Sequence, residues 1–270
     1  MTVHIEKNGP VWTVIHNRPE ARNAMDPESA DALTEAFLEF DADAEARVAV
    51  LFGAGGAFCA GWDLKYVSTL RQDYPMGELD IPPAVARGNG GEIPRGPLGP
   101  TRLELDKPVI AAVAGPAVAG GMELALWCDF RVLQEDAYFG VYCRRWGVPL
   151  IDGGTVRLPR IVGQGRALEI ILTGRKVPAD ESLRIGLCEY VVPNGEVRAK
   201  AEALAADIAR FPPVCVRVDR RSTLKSHGLS TRDALIQEWY NGREALKKDG
   251  AAGAARFKDG LGRHGDFDQI

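Results

Sequence analysis

The chain has 270 residues, 46% of them hydrophobic, and its 33 basic and 37 acidic side chains leave a formal charge of −4. That size suffices for one large core with room for a small appended lobe. The acidic balance argues against a nucleic-acid partner, and no apolar run approaches the roughly 18 residues needed to span a membrane.

Alternating residues over 3–7 and 11–15 flank Asn8-Gly9 and predict a β-hairpin. The polar segment NRPEARNAMD follows. Asp26-Pro27-Glu28 then opens a helix to about Phe40, with Asp26 as N-cap and Leu33, Phe37 and Phe40 on one buried face. A strand over 48–52 runs into a glycine-rich exit, GAGGAFCAGWDL. From 65 to 102 the pattern dissolves, and its Pro- and Gly-rich part, 81–100, reads as a lid, a binding loop or a mobile connection. The apolar run 109–114 predicts a fully buried strand that ends in a second glycine exit, GPAVAGGMELALWCD. After a strand over 130–133 comes a turn-rich stretch, then short helices over 164–172 and 179–186 and a last strand over 189–192. Helices over 195–210, 214–226, 231–249 and 251–261 complete the chain. The order predicts an α/β fold with a mainly parallel sheet, a core domain over 1–194 and a C-terminal helical lobe over 195–270.

Five cysteines (59, 128, 143, 188 and 215) form no CxxC pair, and four histidines show no ligand spacing. An odd count without a framework points to reduced thiols in a cytoplasm, with neither a disulfide scaffold nor a metal site. The opening MTVHIEKNG lacks the pattern of a secretory leader.

The second glycine exit carries the chemistry. A strand, a Gly120-Gly121 turn and a helix start expose backbone N–H groups that no earlier carbonyl can accept. Such a terminus favours negative charge, and Glu123 lies in its first turn. Free amides beside a lone acid suit carbonyl activation: donors for a developing oxyanion and a group to move a proton. The alternative is that the glycines only permit close helix–strand packing while Glu123 complements the dipole.

Together, HNRPEARNAM at 16–25, GAGGAFCAGWDL, GPAVAGGMELALWCD, GVPLIDGGTVRLPRIVG and LTGRKVPADESLRIGLCEYVVP at 172–193 resemble the enoyl-CoA hydratase/isomerase (crotonase) family in order and spacing. The resemblance implies a spiral of repeated ββα units, a homotrimer or dimer of trimers, and an acyl group carried as a coenzyme A thioester. Coenzyme A then enters as part of the substrate, with no cofactor held permanently. Two backbone amides holding the thioester oxygen map to Ala60 and Gly120. Contacts to coenzyme A map to Arg22, the backbone of Ala24, Ala57, Trp62, Asp63 and Leu64, with a solvated loop arginine and a packing tryptophan as the plainer readings of Arg22 and Trp62. The family's C-terminal aromatic maps to Phe257 and its lysine position to Gly260, where Lys258 or Arg263 offers the alternative charge.

One departure bears on the reaction. Hydratases of the family use two glutamates; Glu123 matches one, and Cys143 stands where the other is expected. A thiol with an ordinary pKa near 8.5 is a poor replacement, and packing is its plainer role. Asp152, in LIDGG, is either a second catalytic carboxylate or a cap for the helix that follows. The implied activity is hydration of an α,β-unsaturated acyl-CoA through an enolate; the alternatives are double-bond isomerisation or another reaction of the family, and a silent acyl-CoA-binding homologue.

Overall fold

The computed structural model describes residues 2–70, 79–262 and 264. Strands β1 (Val3–Asn8) and β2 (Val11–His16) form the expected hairpin, Asn8 pairing with Val11 across the Asn-Gly turn. Helix α1 (Pro27–Ala42) is capped by Asp26, whose carboxylate accepts from the Ser29 N–H at 2.9 Å. Strands β3 (Val48–Gly53), β4 (Val109–Val113), β6 (Phe130–Gln134) and β9 (Tyr190–Val192) extend from β2 as a parallel sheet, in the order β1-β2-β3-β4-β6-β9. A second sheet, β5-β7-β8, is built from Pro116–Val118, Tyr138–Gly140 and Lys176–Pro178.

Two apolar layers cover the larger sheet. On one face Trp12, Val14, Ala49, Leu51, Ala111 and Val113 meet Leu33, Phe37 and Phe40 of α1 and Met122 and Leu126 of α4 (Gly120–Trp127). On the other, Val11, Val48, Val50, Ile110 and Val132 meet Val197, Ala201, Ala205 and Ala209 of α8 (Val197–Ala209). The first helix of the segment 195–270 is therefore built into the sheet's core. Small residues at four-residue spacing let its axis lie close to the strands. Helices α9 (Pro213–Lys225) and α10 (Thr231–Ala245) follow, and α11 (Ala251–Lys258) continues past a π-turn.

The intervening helices are short. They comprise α2 (Leu64–Val67), α3 (Pro83–Ala86), α5 (Gly154–Val162), α6 (Gln164–Thr173) and α7 (Ala179–Arg184). Residues 71–78 of the irregular stretch, and Arg263, lie outside the described residues. Among the described residues no helix is long and apolar enough to cross a membrane, no group of His, Cys, Asp and Glu could hold a metal, and all five cysteines are free thiols.

Candidate active site

The two glycine exits meet. Gly61 adopts φ +91°, and a methyl group there would lie 3.0 Å from the Gly120 amide nitrogen and 2.9 Å from the Ala119 side chain. Ala119 caps α4 at φ 55° and ψ −126°, a conformation costly for an L-residue. Its own N–H donates to the Gly140 carbonyl at 2.7 Å, which ties the bend to β7. Gly120 follows as the first helical residue, and its N–H finds no acceptor among the described residues.

In the first exit, the Ala60 N–H is already engaged. It donates to the Arg22 carbonyl at 3.1 Å, so it is not free to receive a substrate oxygen. The bridge between Met25 and Trp62 uses the Gly61 carbonyl and the Asp63 amide, at 2.7 and 2.8 Å. Trp62 itself is spared, and its N–H has no acceptor among the described residues. The unaccepted amide of this bend thus belongs to Trp62, two residues beyond the expected one.

Ala60, Trp62, Leu64, Gly120, Glu123 and Asp152 line one cavity of about 70 Å³, together with Leu98, Tyr142, Cys143, Trp146 and Ile151. The other expected contacts do not line it, for visible reasons. Asp63 caps α2 by accepting from the Lys65 N–H and pairs with Arg18 at 2.7 Å. Ala57 is buried, its carbonyl accepting from the Asn23 amide at 2.7 Å. Ala24 spends its N–H on the Ala21 carbonyl, and its own carbonyl accepts from Arg18. Arg22 is exposed, in left-handed conformation at φ 52°. Phe257 lies on α11 with 60% of its surface exposed.

Glu123 is 2% exposed. Its Oε1 accepts from the Asp152 N–H at 2.9 Å and the Gly154 N–H at 2.8 Å. Burial, and after it the charge of Asp152, push its pKa up to about 7. Asp152 is no helix cap: the N-cap of α5 is Gly153, with no side-chain cap, and the Asp152 carboxyl is engaged elsewhere. Its Oδ1 accepts from the Thr101 hydroxyl at 2.5 Å and the Leu98 N–H at 3.1 Å, while Oδ2 is buried without a partner among the described residues. Burial raises its pKa against the pull of those two donors. The Cys143 thiol, also in the cavity wall, is pushed up by burial and then by Glu123, so it stays protonated at neutral pH.

The expectations missed Leu98, Thr101 and Arg157. Leu98 is 2% exposed and lies over Gly120, where a methyl group would fall 2.4 Å from Leu98 Cδ2. Nothing in the Pro- and Gly-rich tract around it signals burial. The cavity thus brings together two residues whose amides find no acceptor among the described residues, Trp62 and Gly120, and a carboxyl group whose pKa lies near neutrality.

The profile of the enoyl-CoA hydratase/isomerase family matches residues 6–78 and 101–252. The chain is 34% identical over 254 residues to the enoyl-CoA hydratase EchA19 of Mycobacterium tuberculosis, covering 92% of this chain and 89% of that one. It is 36% identical over 244 residues to the carnitinyl-CoA dehydratase of Salmonella typhi, covering 88% and 84%. Its fold matches the crystal structure of enoyl-CoA hydratase EchA1 from Mycobacterium marinum with a TM-score of 0.84 at 32% identity, over 96% of both chains.

Proposed function

The chain belongs to the enoyl-CoA hydratase/isomerase family, and on that premise we propose that it adds water across the double bond of an α,β-unsaturated acyl-CoA with Glu123 as its acid–base group. The enzyme is of the enoyl-CoA hydratase type, and the observation that carries the assignment of roles is the buried Glu123 carboxyl beside two unaccepted amides. The amides of Trp62 and Gly120 receive the thioester oxygen; removing one such donor costs about 3–4 kcal/mol of transition-state stabilisation.

The ionised Glu123 takes a proton from water as the water oxygen bonds to the β-carbon. The π-electrons move onto the thioester as an enolate, held by the two amides. Glu123 then returns the proton to the α-carbon, so both added groups come from one water. A protonated Cys143 has no part in this cycle. The test is loss of crotonyl-CoA absorbance. The parent should turn over, and Glu123→Gln should fall by about a hundredfold or more; full rate in the variant removes Glu123 from the mechanism.

One observation favours a second reading. The unpartnered, buried Oδ2 of Asp152 lies in the same wall as Glu123. A second carboxylate beside the acyl chain suits double-bond migration, one group removing a proton and the other returning it. Product analysis separates them: hydration gives a 3-hydroxyacyl-CoA, isomerisation an isomer of unchanged mass.

The C-terminal helices present Leu235, Ile236, Trp239, Tyr240 and Leu246, each at least 48% exposed. So large an apolar display supports burial against further copies of the chain, as a homotrimer or a dimer of trimers. Light scattering on the eluted protein reads the mass directly. Five free thiols support a reducing compartment such as the cytoplasm.

A further inference from the structure

Arg157, on α5, does not line the cavity, yet it grips both backbone segments on which the two carboxyl groups depend. Its Nη1 donates to the Asp152 carbonyl at 2.9 Å and its Nη2 to the Thr101 carbonyl at 2.8 Å. Those same two residues supply donors to the acids: the Asp152 N–H to Glu123, and the Thr101 hydroxyl to Asp152. A planar guanidinium fixes the separation of the two carbonyls it holds, which a point charge on a flexible stem does not. Gly153, at φ +96°, makes the room: a methyl group there would meet Nη1 at 2.1 Å.

We propose that Arg157 is the positioning residue of the Glu123–Asp152 pair, bracing 101 against 152 so that both carboxyl groups are presented to the substrate from one rigid frame. The inference rests on the acid–base reading of Glu123 given above. Among the described residues the largest charge effects on Glu123 come from Asp152, which raises its pKa, and Arg157, which lowers it; Cys143 faces it as a neutral thiol, and Arg102 and Arg157 both act on Asp152. Among the groups acting on Glu123, Arg157 is the cation that favours its ionised form.

The experiment compares Arg157→Gln and Arg157→Lys with the parent in two readouts: kinetics against pH, and titration of the Glu123 carboxyl by carbon NMR, assigned through its absence in Glu123→Gln. Arg157→Gln should lower kcat by about a hundredfold with KM little changed, and move the Glu123 titration upward by about one pH unit. Arg157→Lys should leave the titration in place yet lower kcat by about tenfold, because a point charge cannot clamp both carbonyls. An unmoved Glu123 titration in Arg157→Gln, or full kcat in Arg157→Lys, overturns the proposal. Should Arg157→Gln not fold, the lysine variant decides alone. The NMR titration needs no turnover, so a parent inactive on enoyl-CoA would sink the acid–base reading while the bracing role was still judged.

Discussion

Glu123 Oε1 accepts from the backbone N–H of Asp152, so the residue that supplies a nearby negative charge also supplies a hydrogen bond to the group it disturbs. The two effects oppose each other. Burial decides the outcome, and the Glu123 pKa rises from 4.5 to about 7. A carboxyl group poised there gains and loses its proton with little cost at neutral pH, as a group cycling between base and acid requires.

The pH dependence of activity and stability should therefore run in opposite directions. The rate constant kcat/KM should climb with pH through a limb near 7, as Glu123 ionises. A raised folded-state pKa contributes stability that is complete below the unfolded value of 4.5 and is lost as pH rises through about 7. Glu123→Gln keeps an acceptor for both amides and carries no charge. It should gain about 3 kcal/mol over the parent at pH 8, and less than about 1 kcal/mol at pH 5. Urea unfolding at the two pH values checks this, and an equal gain at both would refute the buried-charge account.

Gly61→Ala tests the meeting of the two exits. The new methyl group would stand 3.0 Å from the Gly120 nitrogen, on a backbone at φ +91° that an L-residue rarely adopts. Crowding between the two amides should cut kcat by about a hundredfold. Circular dichroism should show the fold retained. Unchanged kcat in a folded variant would mean that the oxygen binds elsewhere.

Part of the candidate site was legible in the sequence because some of its groups lie on short local motifs. Gly120 and Glu123 are three residues apart on one helix turn, and a strand–turn–helix reading places them without tertiary knowledge. The Trp62 amide was not legible. Ala60 is excluded by the carbonyl of Arg22, 38 positions earlier, and hydrogen bonds across such a span leave no local trace. Thr101 and Leu98 are hidden for the same reason, since they reach Asp152 from about 50 positions away; Arg157 lies only five residues beyond Asp152, and it is its second bond, to the Thr101 carbonyl, that leaves no local trace. Strands β5, β7 and β8 have three residues each, too few to display a period. Pro159 inside α5 disguised a helix as a turn. The role of α8 was obscured by its position after the last strand, although its alanines at 201, 205 and 209 carried the clue.

Cys143→Ala separates the carboxyl chemistry from any thiol chemistry. Burial and the neighbouring Glu123 keep the thiol protonated, and it contributes only packing to the cavity wall. Turnover of crotonyl-CoA should stay within about threefold of the parent, with a stability loss of about 1 kcal/mol for the small void. A loss beyond about a hundredfold would instead make the thiol a participant.

His16 stands at the end of β2 with 1% of its surface exposed, and neither ring nitrogen has a hydrogen-bond partner among the described residues. Burial is the largest cause that drives its pKa down, from 6.5 to about 4, with Arg18 adding to it and Asp26 opposing. A depressed folded-state pKa leaves stability intact above the unfolded value of 6.5 and erodes it as pH falls towards 4, because the unfolded chain binds the proton first. At pH 5 that erosion amounts to about 2 kcal/mol. His16→Leu removes it and also removes two buried polar atoms that lack partners, each costing about 1 kcal/mol or more. The variant should therefore be more stable than the parent at pH 7 and its advantage should widen by about 2 kcal/mol at pH 5. Urea midpoints at the two pH values provide the comparison, and a constant difference between them would mean that the imidazole is hydrated or partnered in solution.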